Sequence, residues 1–355
     1  MSRELKIGII GVNMKGGWAQ EAHVPAINAI DGMRLVAVAT THQQTADEAA
    51  RALSVSKGYA NGLALINDPE VDIVTVATRV PDHRDLLLAA IAAGKHVYSE
   101  WPLGLSVCEA REIADAARVA GVKHAIGLQL RGSQAVQKAQ HWLAEGAIGR
   151  VLSLRAFSST AGFGPDVPPQ FAYLEDPSNF ANMVTIQGAH TLDLVLALGG
   201  ALASMSALTS RQYPFIQLGE PPQRVERRTF DHLLVQGRLA SGVPFSVEVS
   251  GGRQHATPFY LEVVGEGGTL RLDGGAPRGL QAGRITVSLD GERETIEEGP
   301  LAALSDSAVN VAGLYSALRD DILGGTSKVV GFDHAVQLTR LVEDVLAEPV
   351  NPKGW

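Results

Sequence analysis

The sequence predicts a two-domain fold of the α/β class. An α/β domain with a parallel sheet occupies residues 1–128, and an α+β domain with an open, mainly antiparallel sheet occupies 129–355. Three observations carry this expectation. Short apolar runs alternate with helix-patterned segments as far as residue 128, the mark of right-handed βαβ units. A glycine-rich turn, Gly11 to Trp18, separates the first run from the first helix. Beyond residue 150 the runs are separated mostly by turns such as Gly265-Glu266-Gly267-Gly268.

Taken in order, residues 5–10 read as a buried strand and 18–30 as the first helix. A strand at 34–39 leads to a helix at 45–53. The turn Asn67-Asp68-Pro69 precedes a strand at 72–77. Pro81 sits in the first turn of the next helix, where its missing N–H costs nothing, and Gly94 ends that helix. A strand at 95–99, a helix at 105–120 stopped by Gly121, and a strand at 122–128 complete the domain. The second domain opens with a strand at 151–158. Residues 159–182, rich in Gly, Pro, Asn and Asp, form a loop long enough to suggest a function. An apolar helix at 184–199 ends at Gly199-Gly200. Strands follow near 203–211, 229–238, 243–251, 258–264, 268–273 and 284–288. Two helices, 306–323 and 333–347, close the chain, the second with Asp333 as N-cap, and they are candidates to pack back on the first domain.

Composition excludes several classes. With 38 acidic against 30 basic residues the net charge is −8, which argues against direct nucleic-acid binding. A single cysteine, Cys108, excludes an internal disulfide and a multi-thiolate metal site, and its place in a helix reads as a buried small residue. The ten histidines show no metal-ligand spacing, so no metal is expected. No run reaches the length of a membrane span and the amino terminus enters a strand directly, so a cytoplasmic location is expected.

The turn Gly11-Val12-Asn13-Met14-Lys15-Gly16-Gly17-Trp18 stands where a dinucleotide-binding turn belongs, glycines letting backbone N–H groups approach a pyrophosphate. Asn13 replaces the middle glycine and is expected to tolerate a left-handed backbone. The second strand ends Thr40-Thr41 without the acidic residue that would hold a ribose 2′-hydroxyl. Threonine hydroxyls accept a ribose or a 2′-phosphate, so NAD and NADP both remain open.

The chain resembles the glucose–fructose oxidoreductase/inositol dehydrogenase (Gfo/Idh/MocA) family. The resemblance rests on the Gly11 turn, His23-Val24-Pro25, Asp72-Ile73-Val74 running to Thr78 and His83, and Ala93-Gly94-Lys95-His96-Val97. It continues through Glu100-Trp101-Pro102, Gln129-Leu130-Arg131 and Gly188-Ala189-His190 with Asp193. It implies a Rossmann domain, an antiparallel-sheet domain that often makes dimer contacts, and hydride transfer between a sugar- or polyol-like carbinol and nicotinamide C4. The family places a Lys after the Glu and an Asp four residues before the His. Here those positions hold Trp101 and Ile186. In these departures the chain is similar to the galactose-regulon repressor branch of the same fold, which binds a dinucleotide and acts through a protein partner.

Each site candidate has two readings. Glu100 bonds a cofactor ribose hydroxyl or is a solvated carboxylate. Trp101 walls the nicotinamide pocket and carries no proton. Thr78 and His83 frame the cofactor, or His83 packs on its own helix. Gln129 and Arg131 point toward the same crevice, Arg131 to a polar ligand or to an ion pair between the domains. His190 is a lone general base or a structural residue. Asp193, one helical turn on, orients it or bonds backbone. Adjacent strand residues Asp231 and His232 point to opposite faces and cannot share a site. Two functions follow: an oxidoreductase with an atypical site, or a catalytically silent dinucleotide-binding regulator with a protein partner. A homodimer or homotetramer is expected for either.

Overall fold

The computed structural model describes residues 3–253 and 255–347. The chain runs β1 (Leu5–Ile10), α1 (Val24–Asn28) entered through a π-helical turn at Ala19–His23, β2 (Met33–Ala39), α2 (Gln43–Ala52), β3 (Lys57–Tyr59) and α3 (Gly62–Ile66). It continues through β4 (Ile73–Val76), α4 (His83–Ala92), β5 (His96–Glu100), α5 (Val107–Ala120), β6 (His124–Gly127) and α6 (Gln134–Ala144). Then come β7 (Val151–Ser159), β8 (Asp166–Val167), α7 (Ala189–Gly199), β9 (Leu202–Ser210), β10 (Phe215–Leu218), β11 (Gln223–Glu226) and β12 (His232–Leu239). The chain closes with β13 (Pro244–Ser250), β14 (Phe259–Gly265), β15 (Thr269–Gly274), β16 (Ile285–Leu289), β17 (Glu292–Arg293), α8 (Asp306–Gly324) and α9 (Phe332–Ala347). Two compact units result. One runs to Gly132 and takes up Glu298–Thr339; the other is Ser133–Glu297 with, among the described residues, Arg340–Ala347.

In the first unit β1 to β6 form one parallel sheet in the order β3-β2-β1-β4-β5-β6. Leu5, Ile7 and Ile9 on one face of β1 and Gly8 and Ile10 on the other are all buried, as a central strand covered on both faces requires. α8 packs on this unit: Val311, Leu314, Tyr315 and Leu318 join the core formed by β1, α1 and β2. Helix ends follow local chemistry. The Ser106 hydroxyl accepts from the Glu109 N–H, the Glu109 carboxylate accepts from the Leu105 N–H, and Gly121 closes α5 at φ +67°. Two expectations are corrected here. Cys108 is exposed, because α5 turns Ala110, Ile113, Ala114 and Ala117 to the core instead. Asp333 is not the cap of α9 but lies inside its first turn. The N–H of Phe332, the first residue of the helix, donates to His124 Nδ1 at 3.1 Å, and the His124 ring stacks on the Phe332 ring.

In the second unit eight strands form a sheet in the order β17-β16-β15-β14-β7-β13-β12-β9. All neighbours are antiparallel except β7 and β13. Alternate residues such as Leu154, Leu233, Val247, Leu261 and Leu272 are buried on one face. The opposite face shows the row Leu208, Leu234, Glu248, Phe157 and Tyr260, cross-strand neighbours in that order. A second sheet, β11-β10-β8, takes its strand β8 from the stretch expected to be a long loop. That stretch is fastened by Arg227, fully buried, which donates to Glu175, Asp231 and the carbonyls of Phe163 and Gly164. Asp231 is therefore structural. His232, on the other face of β12, lies 3.2 Å from Glu248.

Candidate cofactor and catalytic sites

The turn after β1 is shaped by two left-handed glycines, Gly11 at φ +99° and Gly16 at φ +103°. A Cβ on Gly11 would stand 2.6 Å from the Ala77 carbonyl oxygen, so no side chain fits where β1 and β4 end side by side. Asn13 is not left-handed, which corrects the reason expected for its presence. Its side chain instead accepts the Lys15 N–H at 3.0 Å, and its carbonyl accepts the Gly17 N–H at 3.0 Å. The polar side chain thus folds the turn that a glycine folds by backbone freedom alone. Gly17 and Trp18 lead into the π-helical turn. At the end of β2 the Thr40 hydroxyl is used locally, on the His42 carbonyl at 2.9 Å and on Thr45 Oγ1 at 2.6 Å. Thr41 is exposed beside it.

Glu100 ends β5 with both carboxylate oxygens engaged. His23 Nε2 lies 2.8 Å from Oε1, and Gln129 Nε2 donates to Oε2 at 2.8 Å. Gly127 on neighbouring β6 makes the room: a Cβ there would stand 2.8 Å from Oε1. Behind His23, Nδ1 lies 2.8 Å from the Tyr315 hydroxyl, itself 2.8 Å from Thr75 Oγ1. His23, Tyr315 and Thr75 are fully buried, and burial pushes the Tyr315 phenol well above its usual range.

Thr78 and His83 flank the end of β4. His83 is buried, with Nδ1 2.8 Å from the Pro102 carbonyl and Nε2 3.1 Å from the Thr78 carbonyl. Burial pushes its pKa down, against the pull of those two carbonyls. A neutral imidazole carries one N–H, so the ring donates to one of these carbonyls and faces the other, between the β4 and β5 end loops. Trp101 is buried directly after Glu100. Two polar atoms here, Thr78 Oγ1 and Gln129 Oε1, are buried without a hydrogen-bond partner. Buried polar atoms are normally satisfied. At the carboxyl ends of parallel strands beside the Gly11 turn, such atoms suit the hydroxyl and amide groups of a nicotinamide dinucleotide. The residues present therefore fit that cofactor.

In the second unit His190 and Asp193 are both buried on α7, one turn apart. Ile186 precedes them in a π-helical turn, Val184–Gly188. Arg131 lies in the first unit, in a short turn of 3-10 helix after β6, with its guanidinium 3.4 Å from His334 Nε2. Among the described residues no group of three or more His, Cys, Asp or Glu is placed to hold a metal, and no helix is long and apolar enough to cross a membrane. Three residues of the Glu100 cluster were missed as site residues: His23, Gly127 and Tyr315. His23 carried a signal in its spacing before Pro25. Gly127, at a strand end, carried only a generic one, and Tyr315 lies 240 residues from Thr75.

Comparison with known proteins agrees with this geometry. The family model for the oxidoreductase family with an NAD-binding Rossmann fold, Gfo/Idh/MocA, matches residues 5–128. The model for the Gal80p carboxyl-terminal domain matches residues 135–274. The dehydrogenase aclE of Aspergillus oryzae is 28% identical over 98% of this chain and 96% of its own. The galactose/lactose metabolism regulatory protein GAL80 of Saccharomyces cerevisiae is 26% identical over 77% of this chain and 67% of its own. The crystal structure of a super-repressor mutant of Gal80p from the same yeast superposes with a TM-score of 0.85 at 23% identity, covering 97% of this chain and 96% of that one. By its strand order, its glycine turn and these matches, the amino-terminal part of the chain is similar to the NAD-binding Rossmann domain of the Gfo/Idh/MocA oxidoreductases, and residues 135–274 are similar to the Gal80p carboxyl-terminal domain.

Proposed function

We propose that the protein is an NAD(P)-dependent oxidoreductase that moves hydride between a sugar- or polyol-like carbinol and the nicotinamide, through a site without the family's lysine and aspartate. The observation that carries this reading is the Glu100 cluster, a carboxylate fixed at both oxygens beside two buried polar atoms that have no partner. The two hydrogen bonds from His23 and Gln129 offset the cost of partly withdrawing the carboxylate from water and fix its orientation toward a ligand. Gly11, Asn13, Gly16, Gly17 and Trp18 bind the pyrophosphate. Thr40 and Thr41 meet the adenosine ribose, whether NAD or NADP. Glu100, Gln129 and Thr78 orient the nicotinamide half, with His83 behind them. The bound dinucleotide supplies the hydride acceptor or donor. Trp101 is an apolar wall that excludes water and carries no proton. His190 takes the hydroxyl proton, as an imidazole can near neutrality, with Asp193 orienting the ring. Arg131 meets polar groups of the substrate.

A second reading has its own support. Trp101 and Ile186 stand where proton-handling groups are expected, and the carboxyl-terminal half matches the Gal80p model. A silent, dinucleotide-binding regulator with a protein partner would need neither missing group. In either case we place the protein in the cytoplasm, where a lone exposed thiol such as Cys108 stays reduced. It is a homodimer or homotetramer, assembled through the open face of the large sheet. The experiment that separates the readings is titration with NADH and NADPH, followed by a screen of sugars and polyols for hydride exchange. Turnover that His190→Ala abolishes supports the enzyme. Cofactor binding without turnover across the panel supports the regulator.

A further inference from the structure

The partners of Glu100 come from distant parts of the chain, and α8 stands behind both of them. On one side Tyr315 of α8 contacts His23, and the His23 ring meets Tyr98 and Tyr315 edge-on while the two tyrosines stack at 4.7 Å. On the other side Gly313 of α8 lies against Gly132, so closely that a Cβ on Gly313 would stand 2.1 Å from the Gly132 carbonyl oxygen. Gly132 ends the short turn that starts at Gln129.

A carboxylate only accepts, so His23 donates to Glu100 from Nε2. With the ring in its neutral tautomer Nδ1 is the acceptor, the Tyr315 hydroxyl donates to it, and Thr75 donates to Tyr315. With Gln129 donating to Oε2, its amide oxygen is left as a buried acceptor with no partner.

We propose that Tyr315 is a positioning residue of the cofactor site, acting through His23 to fix Glu100 and leaving Thr75 as the far end of the relay. This rests on the reading of Glu100 as a cofactor ligand. Tyr315→Phe removes one hydroxyl and keeps the ring in its stack. One hydrogen bond is worth about 0.5–1.5 kcal/mol net, so the NADH dissociation constant rises about three- to tenfold.

The test is a double-mutant cycle on the whole chain, read by NADH fluorescence titration into the millimolar range and by thermal unfolding. Tyr315→Phe weakens NADH binding in the native background and has no further effect in a Glu100→Ala background. Thr75→Val, isosteric and one link further away, gives a smaller change of the same sign, and carries the cycle if Tyr315→Phe does not fold. A shift in melting temperature with an unchanged dissociation constant, or an equal loss in both backgrounds, overturns the proposal. Failure of the unmutated protein to bind either NADH or NADPH refutes instead the reading of Glu100 on which it rests.

Discussion

Glu100 and Trp101 are neighbours with opposite surroundings. The carboxylate is hydrogen-bonded through both oxygens, while the indole is buried at the position where the family resemblance implies a lysine. The histidines of the same unit are an independent check on its packing. His96 Nδ1 accepts the Lys123 N–H at 3.0 Å and His124 Nδ1 accepts the Phe332 N–H at 3.1 Å, so each ring must stay neutral to keep its bond. Burial pushes the pKa of both below the ordinary histidine value. A depressed folded-state pKa means that the unfolded chain binds protons first. Stability is therefore full above about pH 6.5 and is lost as pH falls toward the folded values. Melting temperature recorded from pH 8 to pH 5 should fall on the acid side, and His124→Gln should make that fall shallower. An unchanged slope would mean that His124 does not contribute.

At the scale of elements, what was legible followed from local pattern. Ala93-Gly94-Lys95-His96-Val97 announces the end of α4 and the start of β5, and Gly94 takes φ +72° there. Alternation along Leu233, Val235, Val247 and Val249 announces β12 and β13. The three-stranded sheet escaped notice because its strands are two to four residues long, β8 being only Asp166–Val167. Its anchor, Arg227, looks like any surface arginine in sequence, since burial is decided by Glu175, 52 residues away. The Glu100 relay was illegible for the same reason, its partners being joined by tertiary packing and not by spacing. Arg227 also sets a magnitude. Removing one member of a buried ion pair costs about 3–5 kcal/mol, because the partner stays buried without a counter-charge. Arg227→Met should lower the unfolding free energy by about that amount in chemical denaturation. A loss under about 1 kcal/mol, the range of exposed pairs, would contradict the clamp.

At the scale of the molecule, two proposals involve a partner: a dinucleotide at the strand ends of the parallel sheet, and another copy of the chain on the open face of the large sheet. Leu208 and Leu234 are 51% and 38% exposed there, adjacent across β9 and β12. Light scattering should show a dimer or tetramer that Leu208→Lys with Leu234→Lys shifts toward monomer, and an unshifted mass would move the interface elsewhere. The central claim is that the protein binds NAD(P)H and uses it for hydride transfer despite Trp101 and Ile186. Its most direct test is hydride exchange between labelled NADH or NADPH and a panel of sugars and polyols, in the native protein and in His190→Ala. The account predicts saturable cofactor binding in both proteins, with exchange onto at least one carbinol that His190→Ala abolishes. Saturable binding with no exchange across the panel would contradict it and leave the regulator.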